Sequence, residues 1–490
     1  MSLNGFVKKV QDIMRVDNGI NGDAQRIEQM TWLLFLKVYD TKEYDWEFHD
    51  PNYQSVIPEE LRWRNWAVDN KDGNALTGED LLDFVNNKLF STFKKLPLDE
   101  SAPIKQRIVK AIFEDINQYM KDGIQLRKVI NVIDDINFED AKEKHAFGDI
   151  YETVLKDLQS AGNAGEFYTP RAVTDFMVQM IKPKLGEKIA DFACGTGGFL
   201  TSALKELEKQ VVTANDKRLY DESVFGIEKK PLPYLLAITN LLIHDIESPK
   251  IIHGNSLERD VRTYKEDEKF DVILMNPPYG GSENESIKVN FPTDLRSSET
   301  ADLFMAVIMY RLKRNGRAAI VLPDGFLFGE DSAKIALKKK LLNEFNLHTI
   351  IRLPKSVFAP YTSITTNILF FDNTKKTESI WYYRVDLPAN YKAFSKTKPM
   401  LLKHFKKAIS WWDNRIEIID SDTDTFKSKE YKVNEIVDRN YDLDLCSYPN
   451  YEEEILTPEE TIRQYKYKKE KLSKIIEEKL LQIEEILKEK

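Results

Sequence analysis

The sequence predicts an α/β protein, a doubly wound sheet behind an all-helical front region, and three observations carry that expectation. From about residue 185, short apolar runs alternate with helical stretches, as they do when helices cover a mostly parallel sheet. Before residue 140 the apolar residues recur at three- and four-residue steps, the period of a helix that buries one face. A chain of 490 residues, 42% apolar and 31% charged, is too long for one core and too apolar to stay disordered, so two or three folded domains are expected.

Composition narrows the classes further. The apolar run near the start, Trp32 to Val38, is broken by Lys37 and falls far short of the roughly 20 residues that cross a bilayer. No secretory signal opens the chain, so no membrane is expected. Cys194 and Cys446 are the two cysteines and stand far apart, which predicts a reducing cytoplasm. Neither cysteine has metal-ligand spacing and the six histidines are scattered, so no metal is expected. A formal charge of −9 argues against coating nucleic acid nonspecifically, because phosphate neutralisation needs surplus Lys and Arg on the binding face. A local basic patch stays open, and a partner chain would supply much of the grip on a nucleic acid.

The front region holds "DAQRIEQMTWLLFLKVYD", with Asp23 as the expected cap and Ile27, Met30, Leu34 and Val38 on one face. The aromatic stretch that follows, "YDWEFHDPNYQSVIPEELRWRNW", contains prolines that break any long element. Trp63 and Trp66 within it are expected to pack rather than to stack on bases. Then come seven expected buried strands: "KIADFAC", "SVFGIE", "KIIHGNS", "FDVILMN", "GRAAIVLP", "LHTIIRLP" and "TTNILFFD". Ligands of such sheets sit at the carboxyl ends of the strands, so the residues that end them are the ones to weigh.

The first strand runs into "DFACGTGGF". Gly195, Gly197 and Gly198 allow a sharp turn close to a ligand, and Asp191 sets a carboxylate beside it. The second ends on Glu228, where an acid accepts hydrogen bonds from ribose hydroxyls. The two together fit an adenosine-containing cofactor of either methyl-donor or nucleotide type. The fourth strand ends on Asn276, Pro277, Pro278 and Tyr279, followed by Gly280 and Gly281. Prolines have fixed φ and no N–H, so this is a stiff segment in which the Asn276 side-chain oxygen and a neighbouring carbonyl form a pair of acceptors. Such a pair grips an NH2 group and turns its lone pair out of conjugation, towards an electrophile. Tyr279 offers a planar face for the substrate. No strong base is needed, since the amine becomes acidic once alkylated.

These motifs carry a resemblance. "DFACGTGGF" followed by "NPPY" resembles the adenine-specific amino-methyltransferases that use S-adenosylmethionine. The wider order, with "GEFYTPRAV", "HGNSL", "ADLFM", "VLPDGFLFG" and "VFAPYTSITTNILFF", is similar to the modification (methylase) subunit of type I restriction-modification systems. The resemblance implies a Rossmann-like class I S-adenosylmethionine-dependent sheet at 141–450, a helical domain at 1–140, and a C-terminal helix at 451–490 for partner association. It places Glu166, Phe167, Tyr168, Thr169, Pro170 and Arg171 over the methionine end of S-adenosyl-L-methionine. Asp191 would face its ammonium, Gly195, Thr196, Gly197 and Gly198 its backbone, Glu228 its ribose, and Asn255 with Ser256 its adenine. Phe192 replaces a frequent proline and Asn255 a more usual aspartate.

The implied reaction methylates the 6-amino group of adenine in duplex DNA, a target that has to be flipped out of the stack. Tyr279 would stack on that adenine, with Phe358 a weaker candidate for its other face. Asp302 is expected either to shape the cofactor pocket or to cap a helix. The tail opens with Thr457-Pro458-Glu459-Glu460, a capping box, and Leu472, Ile476, Leu480, Ile483 and Leu487 form one apolar stripe. In the family such a helix bundles with the specificity subunit, two methylase subunits serving one specificity subunit, with the restriction subunit in the full complex. A protein-glutamine or RNA-guanine methyltransferase using the same pocket is the alternative. A scaffold that keeps the fold without the chemistry is a further one.

Overall fold

The computed structural model describes residues 3–97, 102–136, 168–359, 362, 364–388, 391–395, 397–420 and 424–447, together with 463, 465, 466, 469 and 473. By its internal contacts the chain divides into a large unit, residues 1–420 with 426–447, and a small one, 421–425 with 448–490. The predicted C-terminal helix belongs to the small unit and, apart from those five isolated positions, lies outside the described residues.

The helical region is organised by the helix Asp23–His49, which buries Ile27, Met30, Leu34 and Val38 as the spacing predicts. Two details differ from the expectation. Gly22 occupies the cap position, and Asp23 is already helical, paired with Arg26 one turn on. The helix also runs on through Tyr44 to His49, stopping just before Pro51, because a proline disfavours helix only for itself and the residue before it. Trp63 and Trp66 are core residues. They meet edge to face at 5.5 Å, and their indole N–H groups donate to Asp134 and to the Leu61 carbonyl.

The second half forms one ten-stranded sheet of order β3-β2-β1-β4-β5-β7-β6-β8-β10-β9. The seven predicted strands are β1 (Ile189–Asp191), β2 (Val224–Glu228), β3 (Ile251–His253), β4 (Phe270–Met275), β5 (Leu312–Pro323), β6 (Asn346–Arg352) and β7 (Thr366–Asp372). Strands β1 to β5 run parallel to one another, whereas β7 is antiparallel to both β5 and β6. Three further strands, β8 (Ser379–Arg384), β9 (Ile418–Asp420) and β10 (Thr425–Lys432), extend the far edge.

From β1 the chain steps outward to β2 and β3, then returns to the other side of β1 as β4. The reversal opens a crevice at the carboxyl ends of β1 and β4, where "DFACGTGGF" and "NPPY" emerge. The helix Pro231–Ile243, between β2 and β3, starts on a proline at its first position and is buried nearly all round. Its burial follows from packing against the helix Asp23–His49, and an ion pair between Lys42 and Asp245 ties the two regions at its end.

Candidate active site

A cavity of about 410 Å³ opens at that crevice, lined among others by Tyr168, Gly195, Glu228, Asn255, Ser256 and the Asn276-Pro277-Pro278-Tyr279 segment. Four loops from four strand ends thus converge on one space.

The loop after β1 is held by its own backbone and by acids. Cys194 N–H donates to the Ile227 carbonyl at 3.0 Å and Gly197 N–H to Cys194 at 2.8 Å. Gly197 has φ +78°, a left-handed conformation that costs a residue with a Cβ about 1 kcal/mol or more, and from it the helix Gly198–Glu208 begins. The Thr196 carbonyl accepts from Asn240 at 3.1 Å. Glu228 accepts the Gly195 N–H through one oxygen and the Lys230 N–H through the other, both at 2.8 Å. Glu228 also lines the cavity, and a carboxylate has about four lone-pair sites. The Gly195 N–H is therefore committed to Glu228, whereas the glycine pattern by itself points it at a ligand.

Asp191 lies buried beneath this loop and accepts the Ala193 N–H at 3.1 Å. Burial, reinforced by the nearby Glu228 charge and opposed by that hydrogen bond, pushes its carboxyl up to about 8. A buried acid so short of compensation is a place for a cation. Ser256 donates to the Phe192 carbonyl at 2.5 Å, fastening the loop after β3 to the loop after β1. Asn255 accepts the Leu257 N–H at 3.1 Å and lines the cavity beside it. Phe192, in the place of the frequent proline, is buried edge-on against Phe270.

The donor set suits an adenosyl sulfonium amino acid: Glu228 on the cavity wall for hydroxyls, Asn255 beside Ser256 for an adenine edge, and the acid of Asp191, buried beneath the loop, for an ammonium. Of the expected closing segment, Glu166 and Phe167 lie outside the described residues. Tyr168 lines the cavity. Pro170 precedes the helix Arg171–Ile181, outside the cavity wall. Arg171 opens that helix against the glycine turn. Its guanidinium donates to the Gly198 carbonyl and the Thr201 hydroxyl, both at 2.8 Å, because the opening turn of a neighbouring helix offers those acceptors at short range. Its part is to clamp the glycine turn.

At the end of β4, Asn276 Nδ2 donates to Thr169 Oγ1 at 2.9 Å, and Asn276 Oδ1 accepts the Tyr279 hydroxyl. Both amide ends are fixed, so the oxygen is presented in one orientation. An incoming amine would replace or share the tyrosine hydroxyl. Tyr279 is 7% exposed, and burial holds its phenol well above the usual range. It lines the cavity, but stacking on a base requires its ring to swing outward from this position. Phe358 is 1% exposed and meets Tyr279 edge to face at 6.4 Å; it backs the tyrosine and does not face the cavity.

Asp302 is neither wall nor cap. It accepts from Ser297 at 2.6 Å and pairs with buried Lys334 at 3.0 Å, since a carboxylate this deep needs a cation. Thr300 and Phe304, on the same helix, do line the cavity; a regular apolar helix pattern gave no signal for them. Gly281, at the exit of the segment, is required by close approach, because a Cβ there would stand 2.8 Å from Thr300 Oγ1.

The chain is similar to known proteins along most of its length. Residues 142–455 match the model of the N-6 DNA methylase family and residues 3–133 that of the HsdM N-terminal domain. The chain is 47% identical over 471 residues to the methylase subunit of the type I restriction enzyme EcoEI of Escherichia coli, covering 95% of this chain and 94% of that one. It is 28% identical over 403 residues to the StySPI methylase subunit of Salmonella potsdam, covering 78% of this chain and 70% of the other. A crystal structure from Vibrio vulnificus YJ016, described as a modification subunit of a type I restriction enzyme, superposes with a TM-score of 0.78 at 40% identity over 89% of this chain and 92% of that one. A chain from a study of assembly and conformational transition in a type I restriction-modification system superposes at 0.80 with 34% identity, over 97% of each.

Proposed function

The chain belongs to the N-6 DNA methylase family, among the type I methylase subunits, and from that premise we propose how its own residues carry out adenine methylation. It is an adenine-specific DNA methyltransferase of type I restriction-modification. S-adenosyl-L-methionine, the cofactor the fold class implies, supplies an electrophilic methyl group when bound. Asp191 holds its ammonium, Glu228 its ribose hydroxyls, and Asn255 its adenine, while Ser256 and Arg171 keep the two loops in place. Asn276 Oδ1 and the following carbonyl accept both N–H bonds of the extruded adenine, aiming the nitrogen lone pair across the cavity. Thr169 keeps the amide from flipping, and Tyr279, displaced from Asn276, stacks on the base. The proton released after transfer leaves with water.

The observation that carries this assignment is the fixed amide of Asn276 at the edge of a cavity that Glu228 also lines. Partners follow from the same premise: duplex DNA, a specificity subunit joined through the tail with two methylase chains to one, and a restriction subunit in the full complex. The domain division 1–140, 141–450 and 451–490 is part of the proposal.

Asn276→Ala should lower methyl transfer at least 100-fold, the scale of losing one preorganised polar contact, and leave cofactor affinity within about twofold. Glu228→Ala should weaken the cofactor roughly 10-fold or more, as expected for losing hydrogen bonds to a charged acceptor. Equilibrium binding of sinefungin with single-turnover transfer separates the two, and the reverse pattern would refute the division of roles.

A further inference from the structure

The stretch from Leu387 to Trp412 contains no Asp or Glu and six lysines, in a chain whose formal charge is −9. Lys396 lies outside the described residues; Lys392, Lys398, Lys403, Lys406 and Lys407 are all exposed. None of these five forms an ion pair among the described residues, although acids elsewhere on the surface are repeatedly paired. The acids flanking the stretch are both engaged by other cations, Asp386 by Arg384 and Lys427, and Asp413 by Lys182.

The apolar residues of the same stretch pin it to the body. Phe394, Met400, Phe405, Ala408 and Trp411 are buried, so the lysines alternate outward over a fixed base. Phe405 stacks on Phe176 of the helix Arg171–Ile181 at 4.2 Å with the rings 7° apart. Phe394 N–H donates to Ser356 Oγ at 2.9 Å. Ser356 leads into Val357 and Phe358, and Phe358 backs Tyr279 in the cavity wall. The lysine surface is thereby joined to the segment that backs Tyr279 on one side and to the clamped helix on the other.

We propose that Lys392, Lys398, Lys403, Lys406 and Lys407 form a phosphate-binding surface that seats the DNA backbone flanking the extruded adenine. This inference rests on the adenine-methylating reading above. An acidic chain repels a polyanion overall, so productive approach needs positive charge concentrated where the target base enters. Lysines are suited to that task, being point charges on flexible stems that hold a backbone without reading sequence. The chain then contributes seating, and sequence choice is left to its partner.

The test uses the full chain, alone and assembled with its specificity subunit, and a mixed-sequence 30-base-pair duplex followed by anisotropy across a salt series. Replacing the five lysines by Gln should flatten the plot of log affinity against log salt by about 0.9 for each phosphate that is no longer neutralised. Between 50 and 200 mM salt that is roughly a threefold smaller fall in affinity per phosphate. Lys→Arg at the same positions should keep the slope, and an exposed control, Lys205→Gln, should leave it unchanged. Melting temperature and sinefungin affinity should match the parent in all three. An unchanged slope in the Gln variant while the parent methylates DNA would overturn the surface alone. Failure of the Gln variant to assemble with the specificity subunit, with its DNA slope intact, would reassign the lysines to a protein partner. A parent that binds and methylates no DNA would overturn the reading on which the surface rests.

Discussion

Asp191 gives the account a handle at the level of a single side chain. Its carboxyl, raised to about 8 by burial, stays protonated in the folded chain while an unfolded one ionises near 3.9. The unfolded state therefore binds fewer protons between those values, and stability falls as pH rises through that window. An ammonium placed against Asp191 reverses the preference, favouring the carboxylate and expelling its proton. Cofactor affinity should rise with pH from about 6 and level off above about 8, and calorimetry at pH 7 in two buffers of different ionisation enthalpy should detect release of close to one proton. Asp191→Asn should abolish both the release and the pH dependence.

Thr169 is the other informative residue. By holding Asn276 Nδ2 it leaves the side-chain oxygen as the end that meets the substrate, an anchor that the sequence did not reveal. Thr169→Val should lower the rate of transfer about 10-fold with little change in cofactor affinity, and Thr169→Ser should restore it. The residues of the pocket were legible because strand ends in an α/β sheet are where ligands bind. Their hydrogen-bond directions were not, since Arg171 and Asp302 found nearer partners in Gly198, Thr201, Ser297 and Lys334 that no pattern of spacing reveals.

Among the elements, the junction between the exit of β4 and the helix Thr300–Arg311 carries a steric demand at the edge of the pocket. Thr300 N–H donates to the Gly281 carbonyl at 3.0 Å, and a side chain at Gly281 would collide with the Thr300 hydroxyl. Gly281→Ala should cost about 1–3 kcal/mol, the usual penalty of overpacking, seen as a lowered melting temperature. Adding Thr300→Ala should recover most of it. Strands β1, β2, β4, β5, β6 and β7 were readable because they lie inside the sheet and are largely buried, leaving apolar runs; β3, at the edge with Ile252 exposed, was read from its short apolar run alone. Strand β10, "TFKSKEYK", was missed for the opposite reason: it lies towards the sheet edge, mostly half-buried, and its composition is that of a loop. Strand β8 escaped because it lies beyond the seventh run with polar ends, Ser379 and Arg384.

Across the whole molecule, charge and division of labour fit together. The large unit contains both the helical region and the complete candidate pocket, whereas the capped apolar stripe expected beyond residue 451 belongs to the small one. A chain ending at residue 447 should therefore bind sinefungin as the parent does, yet fail to co-elute with the specificity subunit on gel filtration. That the chain has a helical front and a doubly wound sheet was legible from period changes alone. The packing of the front helix Asp23–His49 against Pro231–Ile243 was not, because the apolar face of the one and the apolar surface of the other would read the same buried against any partner.

The central claim is that a fixed asparagine oxygen aims an adenine amine at a sulfonium methyl group. Its most direct test is to incubate the chain, assembled with its specificity subunit, with methyl-labelled S-adenosylmethionine and genomic DNA, then digest to nucleosides. The label should elute wholly as N6-methyldeoxyadenosine and vanish with Asn276→Ala. Label on cytosine, on RNA or on protein, or undiminished label in the Ala variant, would contradict it.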